Sequence, residues 1–138
     1  MESISAVGVI LATLSSFIVG SIWYMPATFM PAWMKLTGTT DEQLKARFPM
    51  GMAAIGVASL VTAYILAHFM VYTSYATGTT GVANGLETAL WAWLGISATT
   101  VVSATVLEPR KPMYMVITAG NRLATLLVMG LILGLFMK

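Results

Sequence analysis

Residues 118–127 read TAGNRLATLL and hold the densest polar chemistry of an otherwise apolar stretch. Arg122 is a permanent cation whose fork of donors suits a carboxylate or a phosphate. Helical spacing puts Thr118, Asn121 or Arg122, and Thr125 on one face. Arg122 with Asn121 is therefore the chemistry of a site for an anionic or hydrogen-bonding ligand. The competing reading is structural: Arg122 reaches down to Glu108, or to a lipid phosphate, and staples helices together. A second pair is His68 with Glu87. A carboxylate beside an imidazole can relay or sense protons, and the same pair can equally be an ordinary interhelical hydrogen bond.

Other chemistries lack their parts. The chain has no cysteine and one histidine, which removes thiolate nucleophiles, disulfides and any metal-ligand cluster within one chain. No GxSxG, phosphate loop or dinucleotide fingerprint is present, and GVANG at 81–85 is a turn leading into a helix. The methionines crowd near Met25–Met52 and at Met113 and Met115. Thioethers suit soft cations, but methionine is also a flexible space-filler, and space-filling is the expectation. No enzyme, cofactor or metal is expected. A net charge of +2, scattered along the chain, gives no reason to expect nucleic acid.

The elements that must position these side chains follow from composition. The 138 residues are 58% hydrophobic and 9% charged, where a soluble domain carries about a quarter charged residues. Crossing the hydrocarbon of a bilayer takes roughly 20 apolar residues in a helix. Four stretches qualify, at about 4–24, 51–75, 82–107 and 113–137. The first lacks the basic flank of a cleaved signal, so it reads as a retained span. The predicted fold is all-α: one integral membrane domain over 1–138, with four transmembrane helices in a compact bundle. SYATGTTG (74–81) and EPRKP (108–112) read as tight turns. The longer first connection contains TTDEQLKARF (39–48), which has the capping signature Thr40 with Gln43. It is expected to form a short separate helix lying in the membrane interface.

Lys35, Lys45, Arg47, Arg110 and Lys111 all fall in the first and third connections. The positive-inside rule predicts a multi-pass protein of the cytoplasmic (inner) membrane with both termini outside. Trp23, Tyr24, Phe29, Trp33 and Tyr114 would form an aromatic belt at the basic end. Gly8, Ala12, Ser16 and Gly20 lie four apart, as do Ser59, Ala63 and Ala67, and Gly130 with Gly134. Such stripes pack helices in lipid, either within one bundle or between copies or partner proteins. At about 1.5 Å per residue, Ser16, Ser59, Thr99 and Arg122 reach nearly one depth. They are the predicted polar layer.

Three segments carry a family likeness: IVGSIWYMPATFMPAWMKLTG (18–38), GLETALWAWLGISATT (85–100) and LEPRKPMYMVITAGNRLATLLVMGLILG (107–134). They contain G-x-x-W-Y-x-P at 20–26, W-M-K at 33–35, Trp-Leu-Gly at 93–95, and an acid–proline–base turn leading to Asn121. Together they resemble domain-of-unknown-function family 1761, small prokaryotic four-helix membrane proteins. The resemblance implies the fold and supplies no activity. The function expected from the residues is a small oligomeric transporter or channel for a small polar or anionic solute, using the central layer. The alternative is a non-catalytic partner or assembly protein that packs against other membrane proteins. The bilayer is the expected partner in either case, with a homo-oligomer or another membrane protein beside it.

Overall fold

The computed structural model describes residues 3–138, and these are almost entirely helical. In order they form α1 (Ala6–Trp23), α2 (Met30–Thr37), α3 (Asp41–Thr77), α4 (Gly81–Ala92), a π-helical segment (Trp93–Ala98), α5 (Thr99–Leu107) and α6 (Pro112–Phe136). The α4, π-helical and α5 pieces run on as one helix, Gly81–Leu107. Four units are long and apolar enough to cross a membrane: α1, α3, Gly81–Leu107 and α6. Large apolar side chains are exposed on each of them, including Ile18, Val57, Trp91, Leu94 and Val116. Water would penalise such continuous belts, whereas lipid requires them.

The ends of the helices follow local chemistry. Ser5 accepts from the Gly8 N–H to start α1. Thr40 and Gln43 close the predicted capping box, each side chain bonding the other's backbone N–H. The helix that this box starts differs from the expectation. Residues 41–48 are no separate helix; they are the first turns of α3, which is 37 residues long and continues through Pro49. Pro49 removes the single N–H that the Lys45 carbonyl would have used, and one lost rung does not end a helix anchored by a cap on one side and packing on the other. At 1.5 Å per residue α3 is about 55 Å long, so its charged start projects beyond the apolar bundle. The independent short helix is α2, ended by Gly38 in the left-handed region at φ +68°. Gly78 (φ +75°) and Gly81 (φ +65°) make the hairpin between α3 and α4.

The bundle is packed unevenly along its length. Its core consists of Ala12 on α1, Ala63, Ala67 and Met70 on α3, Ala89 on α4, and Met129 and Leu133 on α6, all fully buried. Every one of these lies in the half of its helix nearer the chain ends, which meet where the Ser3 N–H donates to the Lys138 carbonyl at 3.1 Å. Small residues explain the density there. A Cβ on Gly85 would collide with the Gly130 carbonyl, and one on Gly134 would sit 2.6 Å from the Gly81 carbonyl oxygen. GVANG therefore does more than turn the chain: Gly81, Gly85 and Ala89 form the stripe that receives Gly130 and Gly134. Beside it, fully buried Asn84 donates to the Met70 carbonyl at 2.7 Å and accepts from the Thr73 hydroxyl at 2.6 Å. This ties α3 to α4 at the same end. In the opposite half, towards Lys45, Arg47, Arg110 and Lys111, α3 stands away from α6 and leaves a cleft.

Candidate functional site

The cleft is walled by α1, α3 and α6 and has a volume of about 950 Å³. Its wall includes the place where α1 and α3 converge. There the buried Ser16 and Ser59 hydroxyls are hydrogen-bonded at 2.8 Å. Its open end lies at the basic side, lined by Trp33 from α2 and by Leu44 and Arg47 from the first turns of α3. The face of α6 that looks into it carries Thr118, Asn121, Arg122 and Thr125, the set that helical spacing predicts.

Three of the four residues expected in the polar layer, Arg122, Ser16 and Ser59, thus line one cavity, together with Asn121. Thr99 does not join them. It is exposed, and its hydroxyl bonds the carbonyls of Gly95 and Ile96, both at 3.0 Å. The π-helical segment Trp93–Ala98 shifts the register by one residue, and the Ile96 carbonyl also accepts from the Thr100 hydroxyl at 2.6 Å. Ser97, inside that segment, reaches the cleft instead. No periodic pattern signals a π turn, which is why counting depth along a regular helix names the wrong hydroxyl.

The electrostatics of the site rest on Arg122. The expected pair with Glu108 is not formed: Glu108 is the C-cap of α5 and bonds Arg110 Nε at 3.1 Å, outside the cleft. That is the one ion pair among the described residues. Arg110 also stacks on Tyr114, 4.8 Å from the ring centroid. The short turn holds Glu108 beside its i+2 neighbour, and Arg122 is left facing the cavity. Near it, Asn121 Oδ1 and Thr118 Oγ1 are buried with no hydrogen-bond partner in the protein. Tyr24 lies within electrostatic reach of Arg122 and Tyr114.

Two indoles fix this stretch of α6. Trp23 Nε1 donates to the Ile117 carbonyl at 3.1 Å, and Trp93 Nε1 donates to the Ala119 carbonyl at 2.9 Å. A Cβ on Gly120 would meet the Trp23 ring at 2.9 Å, so the glycine admits the indole against the helix. Trp23, expected in an interfacial belt, packs inward on Phe29, with ring centroids 4.8 Å apart, and supports the site. The spacing of Trp23 and Trp93 from Arg122 carries no sign of this, because the contacts cross between helices.

His68 and Glu87 are not brought together. His68 Nδ1 lies 2.9 Å from the Tyr64 carbonyl, with its ring edge-on to Tyr64. The buried stripe of α4 is Asn84, Gly85, Thr88 and Ala89, and Glu87 falls outside it, exposed. A neighbour one turn away takes the imidazole, and Glu87 is exposed.

The residues that carry the family likeness therefore have structural work in common: Trp23, Trp93 and Asn121 all sit on or around the cleft-facing segment of α6. No curated protein and no solved structure matches the chain. The sequence profile of a family described as protein of unknown function, DUF1761, matches residues 7–134, a span that takes in every residue of the cleft, and the chain belongs to that family.

Proposed function

We propose that the protein is a multi-pass protein of the cytoplasmic membrane, with both termini outside, and that it binds a small anionic or hydrogen-bonding solute at Arg122 and carries it across as a small oligomeric transporter. The observation that carries this reading is a cleft lined by the hydrogen-bonded Ser16 and Ser59, with Arg122 on its wall and no carboxylate paired to it among the described residues. Arg122 is ten residues into α6, roughly 15 Å along its axis. A cation at that depth costs about 2.5–3.5 kcal/mol on insertion scales. Structural stapling would offset that cost through a partner, and of the two partners expected for it, Glu108 and a lipid phosphate, the glutamate is engaged elsewhere. The uneven packing supports alternating access: the half near the chain ends is sealed by glycine contacts, and the half with the basic residues is open. In this reading the protein is not an enzyme, and its reaction is translocation.

Reconstitution tests the proposal. Proteoliposomes holding the wild-type protein are expected to take up one or more small anions from a panel. Arg122→Leu should abolish that uptake while eluting and melting as the wild type does. Uptake that is unchanged in Arg122→Leu would overturn the assignment of the site.

A further inference from the structure

The volume, the wall chemistry and the placing of charges in the cleft narrow its ligand. A water molecule takes about 30 Å³ of liquid, so an inorganic anion would fill a small fraction of about 950 Å³. Cavities of this size, roughly 300–1,000 Å³, are those that hold drug-sized organic ligands. Away from Arg122 the walls are apolar, with Phe17 on α1, Met52 and Ile55 on α3, and Leu126 and Met129 on α6. A hydrated ion gains nothing from such walls, whereas an apolar body gains by leaving water.

The charges point to one acid group. Trp23 on α1 is level with Ile117 on α6, and Ser16 is level with Ser59 on α3. Counting about 1.5 Å per residue from these two contacts puts Arg122 roughly 3 Å from the serine level. The same count puts Arg47 roughly 18 Å from it, so the two guanidinium-bearing positions are about 15 Å apart along the axis. They cannot share one small headgroup. Arg122 is the single cation of the deep end, and Arg47 marks the mouth.

We propose that the cleft takes a free organic monoanion with an apolar body: its acid group pairs with Arg122 near the Ser16–Ser59 end, and its body lies along Ile55 and Met52 towards the mouth. This rests on the reading of Arg122 as a solute site and adds the class of solute. Volume separates such an acid from phosphate or a halide. Arg47 at the mouth favours a soluble acid arriving from that side over a bilayer lipid.

The test is binding of straight-chain carboxylates, from butanoate to decanoate, to the full protein in discs of zwitterionic lipid, with empty discs as the blank. Affinity should rise about fourfold per added methylene until the cleft is filled. Alcohols of equal length should bind at least tenfold more weakly. Arg122→Leu should remove the preference for acid over alcohol and keep the dependence on length, and Arg122→Lys should restore part of the preference. Gly20 lines the cleft with open space where a Cβ would stand, so Gly20→Leu should fold and shorten the longest acid that binds. Phosphate or chloride binding as tightly as octanoate, lost in Arg122→Leu, would overturn this inference and leave the solute-site reading standing. Acids and alcohols binding alike, unaffected by Arg122→Leu, would overturn both. Displacement of decanoate by phosphatidylglycerol placed in the disc would assign the cleft to bilayer lipid and also overturn the inference.

Discussion

Ser16 and Ser59 meet hydroxyl to hydroxyl at 2.8 Å, across 43 residues of sequence, and both line the cleft. Ser16 also bonds the Thr13 carbonyl at 2.7 Å, so it keeps a partner when Ser59 is changed. Hydrogen bonds between membrane helices average about 0.6 kcal/mol. Ser59→Ala is therefore expected to lower stability by about 0.5–1 kcal/mol. Ser16→Ala combined with Ser59→Ala should cost less than the sum of the two. Reversible denaturation in mixed micelles, read as a double-mutant cycle, measures the coupling. Additive single costs would mean that the pair does not hold α1 to α3 through this bond.

The glycines of the bundle divide into those that touch backbone and those that face open space. Gly130 lies against the Gly85 carbonyl, with Ala89 Cβ as a further neighbour, while nothing lies within 4 Å of a Cβ built on Gly20. Gly130→Val must push α4 off α6, and it is expected to cost several kcal/mol, in the range reserved for overpacked cores. Gly20→Ala should be neutral or stabilise by a few tenths of a kcal/mol through helix propensity. Thermal unfolding of the two purified variants in detergent checks the contrast. A mild Gly130→Val would show that the α4–α6 contact is not the rigid part of the fold.

Much of this architecture is legible before any coordinates. Composition and four apolar stretches give the helices, and the Thr40–Gln43 signature gives the start of α3. Helical spacing places Thr118, Asn121, Arg122 and Thr125 on one face because α6 is a regular helix. The errors come from features with no period. Residues 39–48 read as a separate helix, yet residues 41–48 are the start of α3, which runs on through Pro49. The π turn at Trp93–Ala98 moves Thr99 out of the layer and Ser97 into it. The indole bonds from Trp23 and Trp93 to α6 depend on how helices face one another, which sequence spacing along one helix does not encode. The His68–Glu87 pairing fails for the same reason: matching depth puts two side chains at one level but leaves their rotation about the helix axes unset.

Topology is the next prediction. Lys45 and Thr79 lie at opposite ends of α3, and the chain has no native cysteine. Lys45→Cys and Thr79→Cys each create a single labelling site without a background. If the basic end faces the cytoplasm, a membrane-impermeant thiol reagent applied to intact cells should label Thr79→Cys and spare Lys45→Cys. Permeabilised cells should label both. The reverse pattern in intact cells would place the cleft's mouth outside and invert the direction of transport.

Glu108 gives the sharpest separation between a stapled and an available Arg122. Its partner is Arg110, with side-chain exposures of 60% for the glutamate and 36% for the arginine. Exposed pairs of this kind contribute about 0–1 kcal/mol. Glu108→Gln should therefore change stability by less than about 1 kcal/mol, with a difference that shrinks as salt is added. It should leave anion uptake intact. Had Glu108 been the counterion of Arg122 within the membrane, its loss would strand a desolvated cation and cost about 3–5 kcal/mol. Denaturation of Glu108→Gln at low and high salt, alongside its uptake in proteoliposomes, distinguishes the two. A loss of several kcal/mol that salt does not relieve would return Arg122 to the role of a staple.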